Sequence, residues 1–205
     1  YRATWDYAFR SAAYFELAQI SCIRGDWGKA FLEIDESLST NTKNTRALGL
    51  KASIQRRMGN LTGAAETLSI PVKTDPLNFR MRNELYLIAR ESGKNREAEE
   101  HLENLTLIMR NFDQNYLELA VGYIDDGMVA EAIDVLKRIH TGNPIVHYYL
   151  GYLQQKTGNE QEAKNQFSKA QSLPVDYCFP YRIKTVPVLE AALKVNPGDG
   201  KAWYY

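Results

Sequence analysis

The sequence predicts an all-α fold of about five helical hairpins laid one after another, followed by an irregular loop and a further helix. Three observations predict it. A glycine-turn marker recurs at Gly25, Gly59, Gly93, Gly127 and Gly158, at spacings of 34, 34, 34 and 31 residues. Five residues after each glycine stands an alanine: Ala30, Ala64, Ala98, Ala132 and Ala163. Nine residues after each stands a large apolar residue: Ile34, Leu68, Leu102, Leu136 and Phe167. A fixed period of this length marks a repeat architecture, in which each unit buries its apolar face against its neighbours.

Each element of the marker has a physical reason. Tyr14, Leu17, Ala18 and Ser21 before Gly25 follow the i, i+3, i+4, i+7 spacing of one helix face. Tyr116, Leu119, Ala120 and Tyr123 before Gly127 do the same. Glycine ends the first helix of a hairpin because a left-handed backbone costs least without a Cβ. The alanine sits where two helix axes approach, and a larger side chain there would overpack by about 1–3 kcal/mol. The large apolar residue fills the space between hairpins. Pro71 falls inside the second helix of the second repeat, so that helix should end early or kink.

This register resembles the tetratricopeptide repeat (TPR) family. The family pattern has a bulky residue at position 4, Leu-Gly/Ala at 7 and 8, Tyr at 11, Gly at 15, Ala at 20, an apolar residue at 24 and Pro at 32. So counted, the repeats run 11–44, 45–78, 79–112, 113–143 and 144–173, the fourth being one turn short. Pro76 and Pro144 fall on position 32 of repeats two and four. Lys51 and Arg82 depart from the pattern, standing where Leu and a bulky residue belong. The resemblance implies a right-handed α-α superhelix, with residues 1–205 forming a single solenoid. Residues 174–186 are then an inserted loop, and residues 187–205 an extra helix and the start of a truncated repeat.

Composition narrows the function. Lys+Arg and Asp+Glu both number 25, so the basic excess of a nucleic-acid binder is missing. No apolar run approaches the roughly 18 residues of a membrane span, so no membrane insertion is expected. Two distant cysteines, Cys22 and Cys178, make neither a disulfide framework nor a zinc site. His101, His140 and His147 are too scattered for a metal centre, and no GxSxG, P-loop, GxGxxG or HExxH motif occurs. No cofactor, metal site or enzymatic activity is expected. The adjacent Asp125 and Asp126 point to different helix faces and read as solvated or capping residues. Lacking an initiator methionine and a signal pattern, the chain reads as a piece of a longer protein.

In proteins resembling this family, positions 2, 5, 9, 12 and 13 of each first helix line a ligand groove. Those positions bring Phe15, Gln19, Cys22 and Ile23 from repeat one, and Arg46, Gly49, Ser53, Arg56 and Arg57 from repeat two. They bring Arg80, Asn83, Leu87, Arg90 and Glu91 from repeat three, Gln114, Leu117, Val121, Ile124 and Asp125 from repeat four, and Tyr148, Tyr152, Gln155 and Lys156 from repeat five. Five arginines thus collect in a neutral chain, and arginine recognises carboxylates bidentately. The expected ligand is an acidic segment of a protein or peptide partner. The alternative is a helix face whose charges are balanced by nearby Glu. The chaperone-binding carboxylate clamp of some TPR proteins needs Lys and Asn where Phe15 and Gln19 stand, and so is not expected.

The loop carries Tyr177, Phe179 and Tyr181 between Pro174 and Thr185, and reads either as pinned by its aromatics or as a functional lip beside the groove. The tail around Cys178-Phe179-Pro180-Tyr181-Arg182 is similar to bacterial proteins of unknown function that couple a carbohydrate-associated domain to TPR repeats. That resemblance implies an alternative role, as an accessory domain that positions or dimerises a neighbouring domain.

Overall fold

The computed structural model describes residues 2–176 and 178–205; Tyr1 and the loop candidate Tyr177 lie outside them. All regular structure among these residues is helical. The chain divides into two compact units. The first takes in the chain as far as Asn111 together with Ile124–Met128, and the second takes Phe112–Tyr123 and the chain from Val129 onward.

In the first unit a 3-10 turn precedes α1 (Tyr7–Ile23) and α2 (Trp27–Thr40). Next come α3 (Thr45–Arg57), α4 (Leu61–Leu68), the single turn α5 (Pro71–Thr74), α6 (Phe79–Glu91) and α7 (Asn95–Met109). Helices α1 and α2, α3 and α4, and α6 and α7 pack as hairpins. Short polar side chains start most of them: Asp26 accepts from the amide of Lys29, Asn44 from those of Arg46 and Ala47, Asn60 from that of Gly63 and Asn78 from that of Met81. Each such cap stabilises its helix by about 1 kcal/mol. The helix α4 ends at Leu68, short of Pro71, as the proline dictates. The break lets Val72 pack on a core of Ala52, Ala64, Leu68, Met81 and Ile88.

The five marker glycines all have left-handed backbones, with φ between +70° and +79°. At the first, the amides of Gly25 and Asp26 bond back to the carbonyls of Cys22 and Ser21, closing the helix end. The five alanines are buried, four of them completely. Of the large apolar residues, Ile34, Leu68, Leu136 and Phe167 are buried, while Leu102 is half-buried and Leu105 lies inside. The departures find polar partners. Lys51 pairs with Asp35 at 2.7 Å, and the Arg82 Nε donates to the Pro76 carbonyl.

The second unit holds α8 (Asp113–Asp125) up to Tyr123, α9 (Val129–Leu136), α10 (Pro144–Lys156), α11 (Glu160–Ser172), a 3-10 turn at Ile183–Thr185, α12 (Val186–Val195) and α13 (Gly200–Tyr204). Helix α10 is its centre, packed on α9, α11 and α12. Gly151 permits this closeness: a Cβ there would lie 2.4 Å from the Phe167 ring.

Candidate functional site

Some of the residues expected to line a groove come together in two places, one in each unit. In the first unit, Arg56 and Arg80 are held by carboxylates and hydroxyls of the unit itself. Arg56 is only 4% exposed; its Nε donates to Glu84 at 2.8 Å and its Nη1 to Glu91 at 2.6 Å. Glu84 and Asn83 are fully buried. Arg80 donates to Ser53 Oγ from Nη2 at 2.8 Å and reaches the other Glu84 oxygen at 3.7 Å. Three further arginines are exposed and lie over aromatic rings: Arg46 over Phe15 at 4.8 Å, Arg57 over Trp27 at 5.6 Å and Arg90 over Tyr86 at 5.1 Å.

The turn between α8 and α9 lies against this face. Asp126 accepts a hydrogen bond from Gln19 Nε2 at 2.8 Å and pairs with Arg80 Nη2 at 2.9 Å. It is 4% exposed, so the expectation that it is solvated or capping is corrected. The cause is tertiary, because Ile124–Met128 belongs to the first unit. Gly127 lies flat on α1, where a Cβ would come 2.8 Å from Ile23 Cα. Met128 is fully buried, with its sulfur 3.4 Å from Arg80 Nη2. Burial pushes the Asp126 carboxyl up from the ordinary carboxylate range, and Arg80 and Gln19 offset that only in part. Burial also pushes the neighbouring Cys22 thiol up to about 12, with the Asp126 charge adding to it.

This hairpin tip differs from the other four. The residues before the glycine there are Arg24, Met58, Ser92 and Thr157, and those after it are Asp26, Asn60, Lys94 and Asn159; all eight are exposed. Only here does an acidic residue precede the glycine and an apolar one follow it. That difference was the available signal for Asp126 and Met128.

In the second unit, a cavity of about 200 Å³ lies between α8, α10 and the loop after α11. Groove positions Gln114, Leu117 and Val121 form one wall, and Phe179, Tyr181 and Arg182 of the loop form another. Tyr181 Oη donates to Glu118 at 2.6 Å and accepts from Gln114 Nε2 at 2.9 Å, while Arg182 pairs with Glu118. These bonds hold the loop down while Phe179 and Tyr181 stay 78% and 68% exposed. Tyr148 and Tyr152 do not join this cavity. Tyr148 is fully buried, which raises its hydroxyl above the ordinary phenol range, and it donates to Asp199, which adds to the rise. Tyr152 is half-buried beside Lys156.

Among the described residues no three His, Cys, Asp or Glu side chains gather as metal ligands would. None of their helices is long and apolar enough to cross a membrane.

No protein-family model matches the sequence, and no curated protein sequence matches it. Solved structures resemble it in fold. A MamA crystal structure is 19% identical over 78% of this chain and 89% of that one, with a TM-score of 0.46. MamA from Desulfovibrio magneticus RS-1 is 16% identical over 80% and 94%, with a TM-score of 0.47. A thermophilic TPR protein of Thermus thermophilus is 19% identical over 95% and 100%, with a TM-score of 0.49. At these values the functional reading rests on this chain's own side chains.

Proposed function

We propose that the protein is a non-catalytic scaffold that binds a protein or peptide, and that the arginine face of its first unit takes an acidic segment. The observation that carries this reading is the seating of Asp126. A carboxylate on a glycine turn is held there by Arg80 and Gln19, two residues at ligand-facing positions of the repeat register. Exposed Arg46, Arg57 and Arg90 extend the positive character of the unit beyond that seat. Charge-assisted hydrogen bonds of this kind favour carboxylates over neutral groups.

The test is binding of fluorescent acidic peptides and of their Asn/Gln counterparts at several salt concentrations. Acidic peptides should bind more tightly, lose affinity with salt, and lose about tenfold or more when Arg46 and Arg90 are both changed to Ala. Equal binding of the neutral counterparts sinks the acidic preference. The aromatic loop is the lip of a second, less polar contact. Phe179→Ser should weaken partner binding without lowering the melting temperature, since the ring it removes is mostly exposed.

A second reading is the accessory domain that positions or dimerises a neighbouring, carbohydrate-associated domain. Exposed Trp203 and Tyr204 on α13 favour it, because they offer an apolar surface to another domain. Concentration-independent monomers in sedimentation experiments, unaffected by Trp203→Ser, count against the dimerising form.

A further inference from the structure

We infer that the arginine face of the first unit is a self-occupied site: the turn Ile124–Met128 is its resident ligand, and an outside acidic segment binds by displacing it. This rests on the acidic-segment reading above and adds its regulation.

The seat is made from groove positions. Gln19 and Ser53 stand at position 9 of repeats one and two, Arg80 at position 2 of repeat three and Ile23 at position 13 of repeat one. The turn meets all but Ser53 directly. Asp126 takes the Gln19 amide and the Arg80 guanidinium, Gly127 lies on the Ile23 backbone, and Met128 is buried beside Arg80. Ser53 steadies Arg80 from the other side. The occupant's sequence therefore describes the ligand class: an acidic residue, then glycine, then an apolar residue. Glycine is required twice over, because its φ is +70° and a side chain would strike α1.

The other four tips are exposed, and their glycines have neither an acidic residue before them nor an apolar one after. A hairpin needs no buried Asp-Gly-Met to turn, so the pattern answers to the seat. Tethering then sets the competition. A ligand on the same chain acts at an effective concentration on the order of millimolar. A free peptide making the same contacts at micromolar concentration leaves the tethered turn in place. Only a partner with further contacts, such as those Arg46 and Arg90 offer, displaces it.

The experiment titrates a labelled peptide of residues 123–129 into the full chain, into Asp126→Ala, and into Asp126→Ala with Arg80→Ala. Folding of each is followed by circular dichroism. The wild type should show no binding at low micromolar peptide. Asp126→Ala should stay folded and bind at least about tenfold more tightly, and the added Arg80→Ala should remove the gain. Met128→Asn, which installs a capping residue of the kind other hairpins carry, should give a similar gain. Equal binding by wild type and Asp126→Ala overturns the inference. So does unfolding of Asp126→Ala, because a displaceable ligand is one the unit survives without. Should unrelated acidic peptides bind the wild type through Arg46 and Arg90 while Asp126→Ala gains nothing, the scaffold reading stands and self-occupancy falls. Should no acidic peptide bind any variant, both fall.

Discussion

Gly151 and Phe167 illustrate how tightly single residues fix the second unit. A methyl group on Gly151 would lie 2.4 Å from the Phe167 ring, which is itself buried. Gly151→Ala should therefore cost about 1–3 kcal/mol, read as a lower urea midpoint at unchanged slope. Wild-type stability in that variant would mean the ring shifts freely. Tyr148→Phe removes one donor from buried Asp199, which keeps its bonds from the amides of Lys201 and Ala202, so about 1 kcal/mol is expected. His147 adds a pH dependence. Burial lowers its pKa below the ordinary 6.5, Gln166 opposes this and Lys169 adds to it. The unfolded chain then takes the proton more readily than the folded one. The His147 contribution is complete above that ordinary value and is lost as pH falls toward the lowered folded one. Urea midpoints at pH 7.5 and 5.5 should differ less in His147→Gln than in the wild type. At this scale the glycines and alanines were legible because their constraint is local. Asp126 was not, because its Gln19 partner is 107 residues away in sequence.

Among the elements, α4 is a short helix with two buried residues, Ala64 and Leu68. It spans eight residues and stops before Pro71. Its start depends on Asn60, whose Oδ1 accepts the Gly63 amide at 2.9 Å. Asn60→Ala should cost about 1 kcal/mol and speed amide exchange in α4 before it does so in α3. Unchanged exchange in α4 would show that packing alone holds it. The early end of this helix was readable, since a proline beyond the first turn ends or kinks a helix. The start of α1 was not. It begins at Tyr7, ahead of the first repeat at Ser11, because Asp6 caps it through the Ala8 amide. A repeat register has no place for a cap that comes before the first repeat.

At the scale of the molecule, the two units each carry their own reporters: Trp27 in the first and Trp203 in the second. Repeat proteins hold together through nearest-neighbour contacts, so a lesion is felt mostly where it is made. In variants with Trp27 or Trp203 as the sole tryptophan, Gly151→Ala should lower the Trp203 transition more than the Trp27 transition. Equal shifts would mean the chain melts as one cooperative body. The regular period predicts hairpins of equal standing. It is silent on a division at Asn111 and on the membership of Ile124–Met128 in the first unit.

The order of synthesis gives that turn a further consequence. The first unit's continuous stretch ends at Asn111, while its remaining piece is complete only at Met128. At about 5–20 residues per second, a ribosome needs roughly one to three seconds to cross that gap. Throughout it, Arg80 and Gln19 are already made and Asp126 is not. Every newly made molecule thus passes through an interval in which Arg80 and Gln19 have no Asp126 to hold; on the self-occupancy we infer, an acidic partner present in that interval would meet the seat with no rival.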